Sequence, residues 1–138
     1  MKQGIQSGFP HPALRASGCY FFALMKWLEV KNGMDFTDGD LIRIYETAGR
    51  KGMLNPNNTF INDAAAVLNL ALGKNGYRDV RRDLREPPAD GTAIRRLVRN
   101  NGRETHFTVQ INGDEWDSLD PARPAAKTWA FDSFRVPV

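Results

Sequence analysis

His106-Phe107-Thr108-Val109-Gln110-Ile111-Asn112-Gly113 alternates polar and apolar residues and ends on an Asn-Gly pair. A period of two is the mark of a half-buried strand. Asn-Gly tolerates the positive φ angles of a two-residue hairpin turn. The chain should therefore fold back, and Glu115-Trp116-Asp117-Ser118-Leu119 supplies the returning strand. Working outward, the same period holds after Gly76: Tyr77, Val80 and Leu84 belong to one strand, Ala93-Ile94-Arg95-Arg96-Leu97-Val98 to another, and Lys127 to Val136 to a last one with Trp129, Phe131 and Phe134.

Before Gly76 the spacing is helical. Residues 1–17 read as an irregular entry segment, with Gly4, Gly8, Pro10, Pro12 and Ser17 and the isolated apolar anchors Phe9 and Leu14. Cys19 to Val30 is apolar nearly all round (Phe22, Met25, Trp27, Leu28), as a buried central helix requires, and Asn32-Gly33 ends it. Thr37-Asp38-Gly39-Asp40 opens a second helix with Thr37 as N-cap and Asp40 as the capping-box acid. Gly49 or Gly52 stops it. After the Asn55-Pro56-Asn57-Asn58 loop, Thr59 or Asn62 caps a third helix that runs through Ala64, Val67, Leu68 and Leu72 to Gly73. Helices first and an antiparallel sheet afterwards define an α+β domain.

At 138 residues the chain reads as one domain over 1–138. Hydrophobic residues at 41% and charged residues at 25% are ordinary for a globular protein. No apolar run approaches the roughly 18 residues of a membrane span, so no membrane partner is expected. Met1-Lys2-Gln3-Gly4-Ile5-Gln6 lacks the apolar core of a secretory signal. One cysteine forms no internal disulfide, and with two histidines it makes a poor metal set. A reducing, cytoplasmic location fits these features, and neither a metal nor an organic cofactor is implied.

The net charge of +3 is concentrated. Between Arg78 and Arg103 lie eight arginines against four acids, Asp79, Asp83, Glu86 and Asp90. Such a patch can meet nucleic acid or another anionic polymer. Only Tyr77 among aromatic residues accompanies the arginines, which favours a solvated strand face with acids and arginines paired across it.

Chemistry concentrates elsewhere. Cys19 follows Gly18 at a helix start, where free backbone N–H groups and the helix dipole favour the reactive thiolate. Taken alone, a lone cysteine among aromatics is a small buried hydrophobe. His106 opens a strand and can act as base towards the thiol and then as acid towards a leaving group. His11, in the Pro10-His11-Pro12 loop, is the weaker candidate. Asp120, before Pro121, is the first candidate to orient the imidazole, with Asp117 and Asn112 as runners-up. In a regular strand Asp117 and Asp120 face opposite sides, so only one could serve.

The order Cys19, His106, Asp120, with the cysteine on the first long helix and the others on an antiparallel sheet, resembles the papain-like cysteine peptidase superfamily. Within it, His106-Phe107-Thr108-Val109 and Asp120-Pro121 resemble the compact branch of bacteriocin-processing, double-glycine-leader peptidases. Gly18-Cys19-Tyr20-Phe21 is also similar to small phage-associated and spirochaete proteins of papain-like type. The resemblance implies N-terminal helices packed on a C-terminal antiparallel sheet, with Cys19 as nucleophile, His106 as base and Asp120 as its orienter. It also implies an oxyanion glutamine a few residues before the cysteine. Here Ala13-Leu14-Arg15-Ala16-Ser17 has none, which leaves Gln6, thirteen residues upstream, or Ser17 with the Cys19 backbone N–H. Tyr20 also replaces the usual small residue after the cysteine.

The expectation is a cysteine hydrolase acting on a peptide or isopeptide amide bond, with a peptide or a peptidoglycan-like crossbridge as substrate. Two rivals stand beside it. One is a catalytically silent papain-like binding or inhibitory module, favoured by the missing glutamine. The other is a nucleic-acid-binding domain that uses Arg78 to Arg103, with Cys19 merely buried.

Overall fold

Gly18 closes one short helix and opens the next. In the computed structural model, which describes residues 1–119 and 129–138, α1 spans Pro12–Ser17 and α2 spans Cys19–Asn32. The Gly18 N–H donates to the Leu14 carbonyl at 2.9 Å. A Cβ on residue 18 would lie 2.6 Å from that oxygen and 3.0 Å from the Leu14 Cα and Cδ2. Only glycine lets the two helices meet this closely, and the meeting makes Cys19 the first residue of α2. The short α1 corrects the reading of residues 1–17 as irregular. Pro12 stands in its first turn and His11 caps it, Nδ1 accepting from the Leu14 N–H at 3.4 Å.

α2 is the buried axis of the domain. Phe22, Ala23, Leu24, Met25 and Leu28 have no exposed surface, and Gly33 ends the helix in the left-handed conformation. α3 (Asp38–Arg50) starts with the complete capping box: Asp40 N–H donates to Thr37 Oγ1 at 3.1 Å and Thr37 N–H to Asp40 Oδ2 at 3.0 Å. α4 (Ala64–Leu72) is capped by Asp63 rather than by Thr59 or Asn62. Thr59 instead sits at φ 64 in the preceding loop, and the Asn62 side chain bonds the Gly52 carbonyl.

The described strands are β1 (Val80–Leu84), β2 (Thr92–Arg99), β3 (Glu104–Ile111), β4 (Asp114–Trp116) and β5 (Ala130–Pro137). They form one antiparallel sheet in the order β1-β5-β2-β3-β4, so the last strand lies between the first two. Asn112 and Gly113, at φ 49 and 87, make the β3–β4 turn. β4 ends at Trp116, three residues before the expected limit of Leu119, and Lys127 and Thr128 of the expected last strand lie outside the described residues. α2 packs on β3 and β2 and, through another side, on α4. Phe107, Val109 and Trp116 join the α2 residues in the core. The architecture is α+β, with N-terminal helices preceding a C-terminal sheet. No helix among the described residues is long and apolar enough to cross a membrane.

Gly18→Ala tests the joint that positions Cys19. It is expected to lower unfolding stability by about 1–3 kcal/mol, as overpacking against backbone does. An unchanged urea midpoint would show that α1 and α2 separate without cost.

Candidate active site

Tyr20 and Phe107 lie face to face, ring centroids 4.3 Å apart and 26° from parallel. Each follows a residue singled out for chemistry. Tyr20 follows Cys19 on α2, and Phe107 follows His106 on β3. The stack therefore fixes the start of α2 against β3 beside Cys19 and His106, and the imidazole is carried by the third residue of the strand rather than by its first. The Arg135 guanidinium, on β5, lies 5.0 Å from each ring centroid. Tyr20 is thus a packing contact rather than an obstacle to helix–sheet approach.

The His106 ring is buried and bonded to a carboxylate on one side. Its Nε2 lies 2.9 Å from Asp117 Oδ1. Nδ1 is the nitrogen left for the thiol of Cys19, which lines the same cleft. Burial works against a charge on this imidazole, but the hydrogen bonds and charges of Asp117 and Cys19 outweigh it. The ring is pushed up to about 9. Trp129 lies beside it, centroids 5.6 Å apart, and Arg99 covers Trp129 at 4.1 Å.

The carboxylate on the ring is Asp117, a runner-up in the sequence; the first choice, Asp120, lies outside the described residues. Because β4 stops at Trp116, strand alternation no longer governs Asp117, and its carboxylate can turn to the imidazole. A segment from the other end of the chain holds it there. Asp117 N–H donates to Gln3 Oε1 at 2.9 Å, and Gly4 N–H to the Asp117 carbonyl at 2.9 Å. Gln6 N–H donates to the Ser118 carbonyl at 2.7 Å, and Ser118 Oγ donates to Gln6 Oε1 at 2.8 Å. Asp117 Oδ1 also accepts from the Leu119 N–H at 2.9 Å.

This pairing brings Gln6 to the site. Its side chain is 1% exposed, lines the same cleft as Cys19 and His106, and donates to the Arg15 carbonyl at 3.2 Å through one N–H of its amide. A second N–H remains. Ser17 lines the cleft too, but its hydroxyl is engaged with the 58–59 loop: Thr59 Oγ1 lies 3.0 Å away and the Asn58 carbonyl 3.3 Å. Two other candidates stand apart. His11 caps α1 and meets Tyr45 edge-on at 5.0 Å, while Asn112 occupies the hairpin turn at the far end of β3.

The cleft has a volume of about 650 Å³. Phe60, Ile61 and Ala64 supply apolar wall, and Arg82, Arg96 and Arg135 supply charge. Among the described residues, no group of three His, Cys, Asp or Glu side chains gathers as a metal would need. Three arginines of the 78–103 stretch pair with acids outside that stretch: Arg95 with Glu115 and Arg96 with Asp132, both at 2.8 Å, and Arg99 with Glu104. No family model, curated protein or solved structure matches the chain.

The raised His106 value links the site to stability. The folded ring keeps a proton that the unfolded chain releases near the ordinary value of about 6.5. That contribution, about 3 kcal/mol, is complete below about pH 6.5 and is lost as pH rises through about 9. Asp117→Asn should move the His106 titration, followed by NMR, towards 6.5. It should also flatten the decline of unfolding free energy across that window, with a loss of about 1–3 kcal/mol at neutral pH. An unmoved titration would show that Asp117 does not hold the proton.

Proposed function

We propose that the chain is a cysteine hydrolase of papain-like plan that cleaves a peptide or isopeptide amide bond with Cys19, His106 and Asp117. One observation carries this reading: a buried imidazole held between a carboxylate on Nε2 and a thiol at a helix N-terminus. Nucleophile, base and orienter thus stand in the relation that acyl transfer needs.

His106 and Cys19 share one proton, which stands on the ring when the Cys19 sulfur, as thiolate, adds to the substrate carbonyl carbon. The carbonyl oxygen becomes an oxyanion, received by the Cys19 backbone N–H and the remaining N–H of the Gln6 amide. The imidazolium protonates the leaving nitrogen as the C–N bond breaks, which leaves a thioester on Cys19. His106 then draws a proton from water, the resulting hydroxide attacks the thioester, and the thiol is regenerated. Asp117 keeps the ring oriented and stabilises its charged form throughout.

Gln6 in the cleft supplies the amide whose absence next to Cys19 favoured a silent module, and this supports an active enzyme. The pairing of Arg95, Arg96 and Arg99 with acids leaves less free charge for nucleic acid.

A peptide library incubated with the protein should acquire new termini that disappear with Cys19→Ala. Gln6→Ala should slow cleavage about 10²- to 10³-fold, the usual loss for one oxyanion donor. Ser17→Ala should leave the rate nearly unchanged. The rate should fall above about pH 9, where the imidazolium loses the proton that the leaving nitrogen needs. Iodoacetamide should alkylate native Cys19 faster than it alkylates glutathione; an equal rate would overturn the nucleophile assignment.

A further inference from the structure

We infer that the cleft recognises a carboxylate on its substrate, close to the scissile bond, and that Arg135 receives it with Arg82 beside it. This names the substrate class of the proposed hydrolase and rests on that reading. Arg135 lies over the two rings that directly follow the nucleophile and the base, so its charge stands next to the reacting pair. It is half-buried, and its Nε is fully buried with no hydrogen-bond partner among the described residues. The buried Nε is out of a ligand's reach, so the terminal nitrogens of the guanidinium are the donors left for one. A carboxylate matches that fork with two parallel hydrogen bonds.

The surroundings agree. Of the three arginines that line the cleft, Arg96 is committed to Asp132 at 2.8 Å. Arg82 and Arg135 have no carboxylate partner among the described residues, and no aspartate or glutamate is among the described residues that line the cleft. Arg82 arrives there through an irregularity. β1 breaks register with β5 between Arg81 and Leu84, and Asp83 stands at φ 59. A bulge of this kind re-aims a neighbouring side chain. Arg82 and Arg135 give the cleft positive charge that an anionic group would neutralise. The apolar Phe60 and Ile61 beside it suit the body of a peptide.

The test separates binding from chemistry. Acetylated tripeptide amides that differ only by Glu or Gln at one position are titrated into the Cys19→Ala protein by calorimetry. Matched peptides with a free terminal carboxylate are run beside them. A Glu peptide, or the free-acid peptide if the terminal group is the one read, should bind at least about tenfold tighter than its neutral match. The advantage should shrink at salt on the order of 0.5 M. Adding Arg135→Gln should abolish it, Arg135→Lys should retain part, and Arg82→Gln should reduce it. If Arg135→Gln fails to fold, the Lys and Arg82 variants decide. Equal binding of every pair, or an advantage that survives both Arg135→Lys and Arg82→Gln undiminished, overturns the inference. Iodoacetamide alkylation of the wild type is measured in parallel. Rapid alkylation without acid preference removes the inference and leaves the hydrolase reading intact. Acid preference with slow alkylation does the reverse.

Discussion

The Tyr20–Phe107 stack sits where α2 packs on β3, at the edge of the core that the two elements share. Aromatic pairs carry large apolar area and a preferred geometry, so they constrain orientation as well as distance. Here the constraint acts one residue away from where it matters. Sliding β3 by one residue along α2 would turn His106 to the other side of the strand and separate it from Cys19. Gly18 sets the same constraint from the helix side, since it fixes where α2 begins. Arg135 adds a cationic face to both rings, and it comes from the strand that the topology inserts between β1 and β2. Packing, register and charge at the site therefore depend on one another.

Electrostatically the site is asymmetric. Asp117 stands behind His106, with Ser118 and Leu119 backbone contacts and the Gln3 amide around it. The arginines stand in front, along the cleft. A carboxylate behind the ring favours the imidazolium.

Much of the fold was legible because its signals are local. The alternation before Asn112-Gly113 marks a hairpin, the Thr37 and Asp40 pair marks a helix start, and the apolar circumference of residues 19–30 marks a buried helix. The site was legible in two of its parts, Cys19 because it starts α2, and His106 because it lies on an alternating strand, two residues inside β3 rather than at its opening. Asp117 ranked behind Asp120 because the returning strand was read through Leu119, whereas it ends at Trp116. Pro10-His11-Pro12 read as loop because the prolines masked a short helix that tolerates Pro12 in its first turn. The place of β5 in the sheet, and so the arrival of Arg135, has no local signal at all. Pairing between distant segments is decided by the whole chain.

The bonds between residues 3–7 and 117–119 tie groups far apart in sequence, Gln6 and Ser118 being 112 positions distant. Closing so long a loop is entropically costly and comes late in assembly. A chain emerging from the ribosome can form its central helix early, but Gln6 and Asp117 take their places only after residue 119 is free to return. Cys19 would thus be synthesised near the beginning, and the groups around His106 would be gathered only near the end.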